Sequence, residues 1–311
     1  MNQLMGQGWL PNSVIAKSGS LTGQSPVPPP REVLGRLTQD PVIAVLVALC
    51  LGLVVVGWHT RRSWVVPASA VVVTTVLHAA FAKFGWYERY QIYLIGLALY
   101  VLIRAAPEML ANRVERSERR PVASLLALIL LMFTATKAGL TVEVPRAVDD
   151  TYSQRYQAAR FLATYYDGDP IATGELGYIS LEHRGPITDL FGLGDYEVLQ
   201  ARIHTPPEDR KEYWRQLAER RGFRVAAMYP QTLFFDTPDE WVLVGTWEIQ
   251  HRTVTAYDRR FQFYATVPEE AAPLAAHLEA FEDELPPSIR PSMNEMAQFR
   301  AAVLIDERDG S

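Results

Sequence analysis

The chain has 311 residues, 49% of them hydrophobic, and a formal net charge of −5. Residues 1–144 carry 13 Lys and Arg against 7 Asp and Glu, whereas residues 145–311 carry 17 against 28. The acidic second part argues against nucleic-acid binding, which needs a basic face for the phosphate backbone. A single cysteine, Cys50, excludes an internal disulfide, and its apolar surroundings predict a small membrane-facing hydrophobic residue.

The N-terminal segment, residues 1–40, begins without the basic stretch and apolar core of a signal peptide. It contains a proline-rich linker, Pro26–Pro30, and then a short amphipathic piece, Arg31–Leu37. Nothing in this segment would carry it across a membrane. The sequence therefore suggests that a membrane segment precedes it in a longer protein.

Four apolar runs follow between residues 41 and 140, and we interpret them as a transmembrane domain. A spanning helix needs about 20 predominantly apolar residues. The third run reaches that length only if it starts near Trp86. The predicted helices cover residues about 41–58, 64–82, 88–105 and 121–138.

Positive charge in the links predicts the orientation of these helices. Arginines are concentrated in the links 59–63 and 104–120, which the positive-inside rule places in the cytoplasm. The N-terminal segment, the loop 83–89 and everything after residue 140 would then be extracytoplasmic.

Residues 145–285 show helical and strand patterns that predict an α/β (α+β) domain, followed by a flexible tail at 286–311. Turn-forming residues and Gly222 separate the elements. The predicted helices are 149–166, 208–221 and 268–285, and the predicted strands are 171–173, 187–190, 223–229, 232–235, 241–250 and 261–266. A second short apolar stretch, 178–181, follows the first strand.

Motifs that could carry chemistry are few in this domain. Asp167 and Asp169 have the spacing that can hold a divalent metal and a phosphate, but Asp-Gly-Asp before proline is also an ideal turn, which is the favoured interpretation. Glu175, Tyr178 and Asp189 lie near predicted strand ends, where α/β domains bind ligands, although structural turns would place them there too.

Ionisable groups near the predicted outer membrane surface form the second set of candidates. His78 lies near the end of the second run, and Lys83 and Arg89 flank Trp86. These residues form either an aromatic belt with snorkelling cations or a site for an anionic lipid headgroup.

Four segments form an ordered series that resembles the C-terminal half of bacterial GT-C-type membrane glycosyltransferases, which use polyprenyl-phosphate sugars. The segments are 8–17, 83–93, 174–178 and 188–193. The resemblance implies a protein of the bacterial inner membrane with an extracytoplasmic α/β domain. It also implies that Lys17 and Arg89, with Lys83 and His78 nearby, contact the lipid phosphate, and that the outer domain, with Glu175, Tyr178 and Asp189 as candidates, shapes the acceptor site.

The chain departs from this family at the catalytic acid, which the family carries in its first outer loop. Glu32 and Asp40 follow the proline-rich linker and do not match that position. The expected partners are a polyprenyl-phosphate-linked sugar, membrane lipid and the preceding N-terminal membrane half. The alternative is a non-catalytic membrane-anchored module whose outer domain binds an envelope partner or a glycan.

Overall fold

The computed structural model describes residues 12, 15, 29–60, 62–82, 84, 89–111, 131, 138–233 and 236–294. The chain divides into two compact units. The helical unit is Lys17–Val142, and the α/β unit is Glu143–Ser311 together with Met1–Ala16.

Four helices of the helical unit have bounds within the described residues, and two of them begin at recognisable signals. A proline is the first residue of α1 and of α2, where the missing N–H costs nothing. Asp40 caps α2, because its Oδ1 accepts hydrogen bonds from the backbone N–H groups of Val42 (2.9 Å) and Ile43 (3.2 Å). The helices are α1 (Pro30–Gln39), α2 (Pro41–Thr60), α3 (Val65–Phe81) and α4 (Ile92–Ala111).

Among the described residues, one helix is long and apolar enough to cross a membrane, namely Pro41–His59. Val65–Phe81 and Ile92–Pro107 are shorter apolar helices. A buried core helix of a soluble protein would satisfy the same criteria of length and composition, so the four-helix membrane domain remains a prediction. Most of the fourth apolar run, 121–138, lies outside the described residues.

Helices α2, α3 and α4 pack through an apolar seam that includes Leu46, Val71 and Ile95. Cys50 belongs to this seam and is fully buried. The prediction that Cys50 faces the membrane is therefore wrong. Its small side chain fills a position between helices, as a free cysteine commonly does.

The α/β unit is built around one six-stranded sheet with the order β2-β1-β3-β5-β4-β6. β1 pairs in parallel with β2 and β3, and the remaining pairs are antiparallel. The strands are β1 (Ile171–Thr173), β2 (Ile187–Asp189), β3 (Val225–Met228), β4 (Val242–Ile249), β5 (Arg260–Ala265) and β6 (Ile289–Met293).

Five helices accompany this sheet. The described part of helix α5 covers residues 138–165 and includes a π-helical segment, Thr151–Tyr156. The others are α6 (Leu176–Glu182), α7 (Tyr196–His204), α8 (Arg210–Arg221) and α9 (Ala271–Phe281). Gly222 ends α8 in the left-handed conformation (φ 70°), which glycine adopts without strain.

Helices cover both faces of the sheet. Successive side chains of a strand point to opposite sides, so two neighbouring residues of β1 report on the two faces. Ile171 packs in a core with residues of α5, α6 and α9, including Phe161, and its neighbour Ala172 packs in a second core with residues of α7 and α8, including Trp214. The result is a mixed α/β unit with three layers.

Several predicted elements of this unit need correction. The apolar stretch 178–181 belongs to α6, and α7 lies where no element was predicted. Residues 232–233 form a turn rather than a strand, while 234–235 lie outside the described residues. The predicted tail contains β6, whose Ile289 is buried opposite Ile249 of β4. Residues 295–311 lie outside the described part of the chain.

Candidate functional site

The strand order β2-β1-β3 creates a topological switch point at the carboxyl ends of β1 and β3. The chain leaves β1 through α6 to form β2 on one side, and it returns past α7 and α8 to form β3 on the other side. Open α/β sheets bind ligands at such a point. The residues that follow β1 and β3 are therefore the first place to seek a site.

An ion pair occupies the loop after β1. Glu175 Oε2 lies 3.1 Å from Arg155 Nε, and both side chains are partly exposed. The loop is held by Thr173, whose Oγ1 accepts the backbone N–H of Glu175 (3.1 Å) and donates to the carbonyl of Ala227 on β3 (2.8 Å). Glu175 is consequently fixed at the carboxyl edge of the sheet.

The π-helical segment of α5 supplies the other side of this site. Gln154 and Arg155 both lie in that segment. The Tyr229 hydroxyl, just after β3, donates to Gln154 Oε1 (3.2 Å), while Gln154 Nε2 donates to the carbonyl of Arg259 (2.6 Å). Arg155 also donates to the carbonyl of Thr255 (3.1 Å). A π-helical turn is rare and occurs frequently at functional sites.

Burial changes the acid–base properties of this site. It raises the pKa of Glu175 above its ordinary value, an effect that Arg155 opposes and the charge of Asp189 reinforces. Burial, together with the charge of Glu175, also raises the pKa of Tyr229. The site thus offers a carboxyl group that holds its proton more strongly than usual and two polar partners, a chemistry suited to binding hydroxyl groups.

The candidate Asp189 has a structural task at the end of β2. Its Oδ1 accepts the N–H of Phe191 (2.9 Å), and its Oδ2 accepts the N–H of Gly194 (2.7 Å). Asp189 is buried, so both oxygens hold the loop that follows β2. In that loop Gly192 has φ 83°, and an added Cβ would lie 2.8 Å from the backbone nitrogen of Leu199. The loop 190–195, which contains Gly192 and Gly194, is therefore tight.

Arg202 lies under the same loop and was not singled out from the sequence. It is buried, and it donates to the carbonyls of Leu190 (2.8 Å) and Thr232 (2.5 Å). Burial lowers the pKa of Arg202 to about 10, and the charge of Asp189 opposes this shift. The arginine remains charged at neutral pH and joins the loops after β2 and β3.

The Asp167 and Asp169 pair forms a turn in which Gly168 has φ 89°. Asp167 accepts the N–H of Arg184 (3.0 Å), and the backbone carbonyl of Asp169 lies 2.9 Å from His183 Nε2. Within the described ranges, no group of three or more His, Cys, Asp or Glu side chains is placed to hold a metal ion. The structure therefore supports the turn interpretation of the Asp-Gly-Asp motif.

In the helical unit, polar side chains form hydrogen bonds that connect the ends of α1, α2, α3 and α4. His78 is buried near the end of α3, and its Nδ1 lies 2.9 Å from the hydroxyl of Tyr93 on α4. Arg36 of α1 donates to the carbonyl of Ala79 (3.1 Å), and Gln91 donates to Asp40 Oδ2 (3.2 Å). Hydrogen bonds therefore join these helix ends.

Arg89 lies two residues before Gln91 of this cluster, just before α4. Its side chain is exposed, donates to the Tyr90 hydroxyl (2.9 Å) and lies 5.0 Å from the centre of the Tyr90 ring. The other predicted phosphate ligands, Lys17 and Lys83, lie outside the described residues. Asp40 uses its carboxylate to cap α2 and bind Gln91, which is a structural use rather than that of a catalytic base.

The sequence did not predict the residues that complete the two candidate sites, which are the site around Glu175 and the polar cluster at the helix ends. Arg155, Gln154 and Tyr229 come from segments distant in sequence from Glu175, so no local pattern relates them. A signal for Asp40 was present, because an aspartate directly before proline is a typical helix start.

The fold and the site around Glu175 define a class, namely a mixed α/β domain with a cluster of polar side chains at a parallel-strand switch point. Residues 146–264 match the model of a domain of unknown function, DUF8728. The match runs from within α5 to β5 and so includes Arg155, Glu175, Asp189 and Tyr229. Neither the curated proteins nor the solved structures contain a match to the chain.

Proposed function

We propose that this chain is the C-terminal part of a membrane glycosyltransferase that takes its sugar from a polyprenyl-phosphate carrier. The observation that carries the proposal is the polar cluster joining the ends of the apolar helices, with exposed Arg89 two residues before its member Gln91. A lipid-linked donor needs such a place, where its chain lies against apolar helices and its phosphate meets cations.

In this proposal Arg89 binds the phosphate that leaves with the lipid, and His78 and Arg36 maintain the geometry of the helix ends. Stabilising the developing negative charge of the leaving phosphate is the step to which a fixed cation contributes most. The acceptor binds at the α/β unit, where Glu175 lies at the carboxyl edge of β1. The general base would be supplied from outside the described residues, since Asp40 serves as a helix cap.

Binding of undecaprenyl phosphate to the purified full chain in detergent tests the role of Arg89. We expect Arg89→Ala to weaken binding about tenfold or more, as loss of a charge-assisted contact requires, and Arg89→Lys to retain part of the affinity. Arg104→Ala is the matched control, because Arg104 is exposed further along the same helix, α4. Equal binding of undecaprenol and its phosphate, or no effect of Arg89→Ala, would refute the proposal.

A non-catalytic module that binds a glycan is the second candidate. It is favoured by the fact that Asp40 and Glu175 both have fixed partners in the structure. Titration of the chain with mannohexaose separates the two. Glycan binding that Glu175→Ala abolishes, combined with no affinity for undecaprenyl phosphate, would favour the module.

A further inference from the structure

Helix α5 exposes an apolar row along one face of the α/β unit. Val144, Val148 and Tyr152 have exposed fractions of 52%, 61% and 47%. Residues four apart in a helix lie on the same face, so these three side chains form a line. Large apolar side chains in a row, all exposed, are unlike the isolated apolar residues of an ordinary surface.

The row continues onto α6 through ring contacts. Tyr152 stacks on Tyr156 with ring centres 5.5 Å apart, and Tyr156 meets Tyr178 edge to face at 5.7 Å. Leu181, one turn beyond Tyr178, is 75% exposed. We call Val144, Val148, Tyr152, Tyr156, Tyr178 and Leu181 the apolar ridge, which contains no charged residue.

We infer that the apolar ridge rests on the surface of a lipid bilayer. Tyrosine is favoured at membrane interfaces because its ring enters the apolar region while its hydroxyl stays in water. Val148 and Leu181 offer no hydrogen bond to a sugar, so the composition of the ridge fits lipid better than glycan. Amphipathic helices bind membranes in this way by burying an apolar face at the boundary between headgroups and acyl chains.

The position of the ridge in the chain supports the same partner. Val144 follows the end of the apolar run 121–138 by six residues. Six helical residues span only about 9 Å, so the ridge is tethered close to any bilayer that this run enters. The inference rests on the proposed membrane attachment, because without a membrane the ridge has no such partner.

Fluorescence of labelled single cysteines in proteoliposomes tests the inference. The dye NBD is attached to Val148→Cys, Leu181→Cys or a control position in a Cys50→Ala background, and lipids carrying a nitroxide quencher either near the headgroup or deep in the acyl chain are added; the deep quencher reads the control within α2. We expect about twofold or greater quenching at both positions, since a ridge buried about 5–10 Å into the interface lies within reach of the quencher. Labels at exposed positions disturb the core little.

Two control positions make every outcome decisive. Lys211→Cys labels an exposed position on α8 and should not be quenched, whereas Leu51→Cys labels an exposed position within α2 and reports insertion. Quenching at Leu51 with Val148 and Leu181 no different from Lys211 overturns the inference while leaving the membrane attachment intact. Absence of quenching at Leu51 as well refutes the attachment. Shielding of the ridge labels by mannohexaose, without lipid quenching, would assign the ridge to a glycan.

Discussion

Gly174, between β1 and Glu175, lies so close to Thr232 that there is no room for a methyl group at this position. An added Cβ would lie 2.6 Å from Thr232 Oγ1 and 2.7 Å from its Cγ2. We therefore expect Gly174→Ala to destabilise the protein by about 1–3 kcal/mol through overpacking. Thermal unfolding of the full chain in detergent measures the effect.

Two further variants separate crowding from a general sensitivity of this loop. Gly177 has no neighbouring atom within 4 Å of its Cβ position, so Gly177→Ala in α6 should be stabilising by up to about 1 kcal/mol. Adding Thr232→Ala to Gly174→Ala removes the two closest atoms and should recover part of the loss. A double variant less stable than the sum of its parts would contradict the crowding explanation.

Glu175 should make stability depend on pH in the opposite direction to an ordinary ion-paired carboxylate. Because folding raises its pKa, the folded protein keeps a proton that the unfolded chain has already released just above the ordinary carboxyl pKa. The stability due to Glu175 is therefore greatest at low pH. It declines as the pH rises from the ordinary carboxyl pKa to the raised pKa of Glu175 in the folded protein.

Replacing Glu175 by Gln removes this titration. Between about pH 4 and about pH 7 the stability of Glu175→Gln should rise relative to that of the wild type. Glu182→Gln, an exposed position on the same helix α6, is the control and should follow the wild type. A constant difference between Glu175→Gln and the wild type across this range would show that the carboxyl group does not retain its proton on folding.

At the scale of elements, one buried carboxylate fastens the loop between β4 and β5 to α5. Asp150 Oδ2 accepts the N–H of Thr255 (2.7 Å) and that of Val254, and its Oδ1 lies 3.1 Å from His251 Nε2. Since Arg155 binds a carbonyl of the same loop, the anchor also positions the partner of Glu175.

We expect Asp150→Ala to cost about 1.5–3 kcal/mol, because hydrogen bonds to a buried charged acceptor are lost. Asp149→Ala changes the neighbouring carboxylate, whose side chain is 45% exposed, and should cost far less. Hydrogen exchange should show the loop 250–259 opening faster in Asp150→Ala alone. Equal unfolding temperatures for the two variants would indicate that Asp150 does not anchor the loop.

The same elements show what sequence reasoning can reach. Strong local signals located α5, α8, β1, β4 and β5 to within a few residues, apart from the earlier start of α5, because periodicity and Gly222 are local features. The helix α7 was missed, since Tyr196–His204 mixes polar and apolar residues without a clear stripe. β6 was missed because Pro291 and its short length suggest a tail, yet proline is compatible with an edge strand.

At the scale of the molecule, the sequence predicted two residues of the candidate site but not the residues that they contact. Glu175 and Asp189 were located at strand ends, as the structure has them, but their partners depend on long-range packing. Arg155 lies on a helix twenty residues earlier and Tyr229 follows a strand formed much later. No spacing rule connects such positions, and the same reason explains why Asp40 and Gln91 were not paired.

The orientation of the predicted membrane helices is a property of the whole molecule that the distribution of arginines predicts. Arginines concentrate in the links 59–63 and 104–120, so both links should remain in the cytoplasm and residues after 140 should be extracytoplasmic. Alkaline phosphatase fused after Ser311 should therefore be active in a bacterial host, whereas a green fluorescent protein fused there should not fluoresce. The opposite pair of results would reverse the orientation.

The cause of that orientation can be tested with the arginines themselves. Changing the five arginines of the link 104–120 to Gln should lower phosphatase activity, because the rule counts positive residues near the ends of membrane segments. Changing the same five to Lys preserves the charge and should leave activity unchanged. If the Gln and Lys variants behave alike, charge does not set the orientation, and the assignment of the α/β unit to the outer side loses its basis.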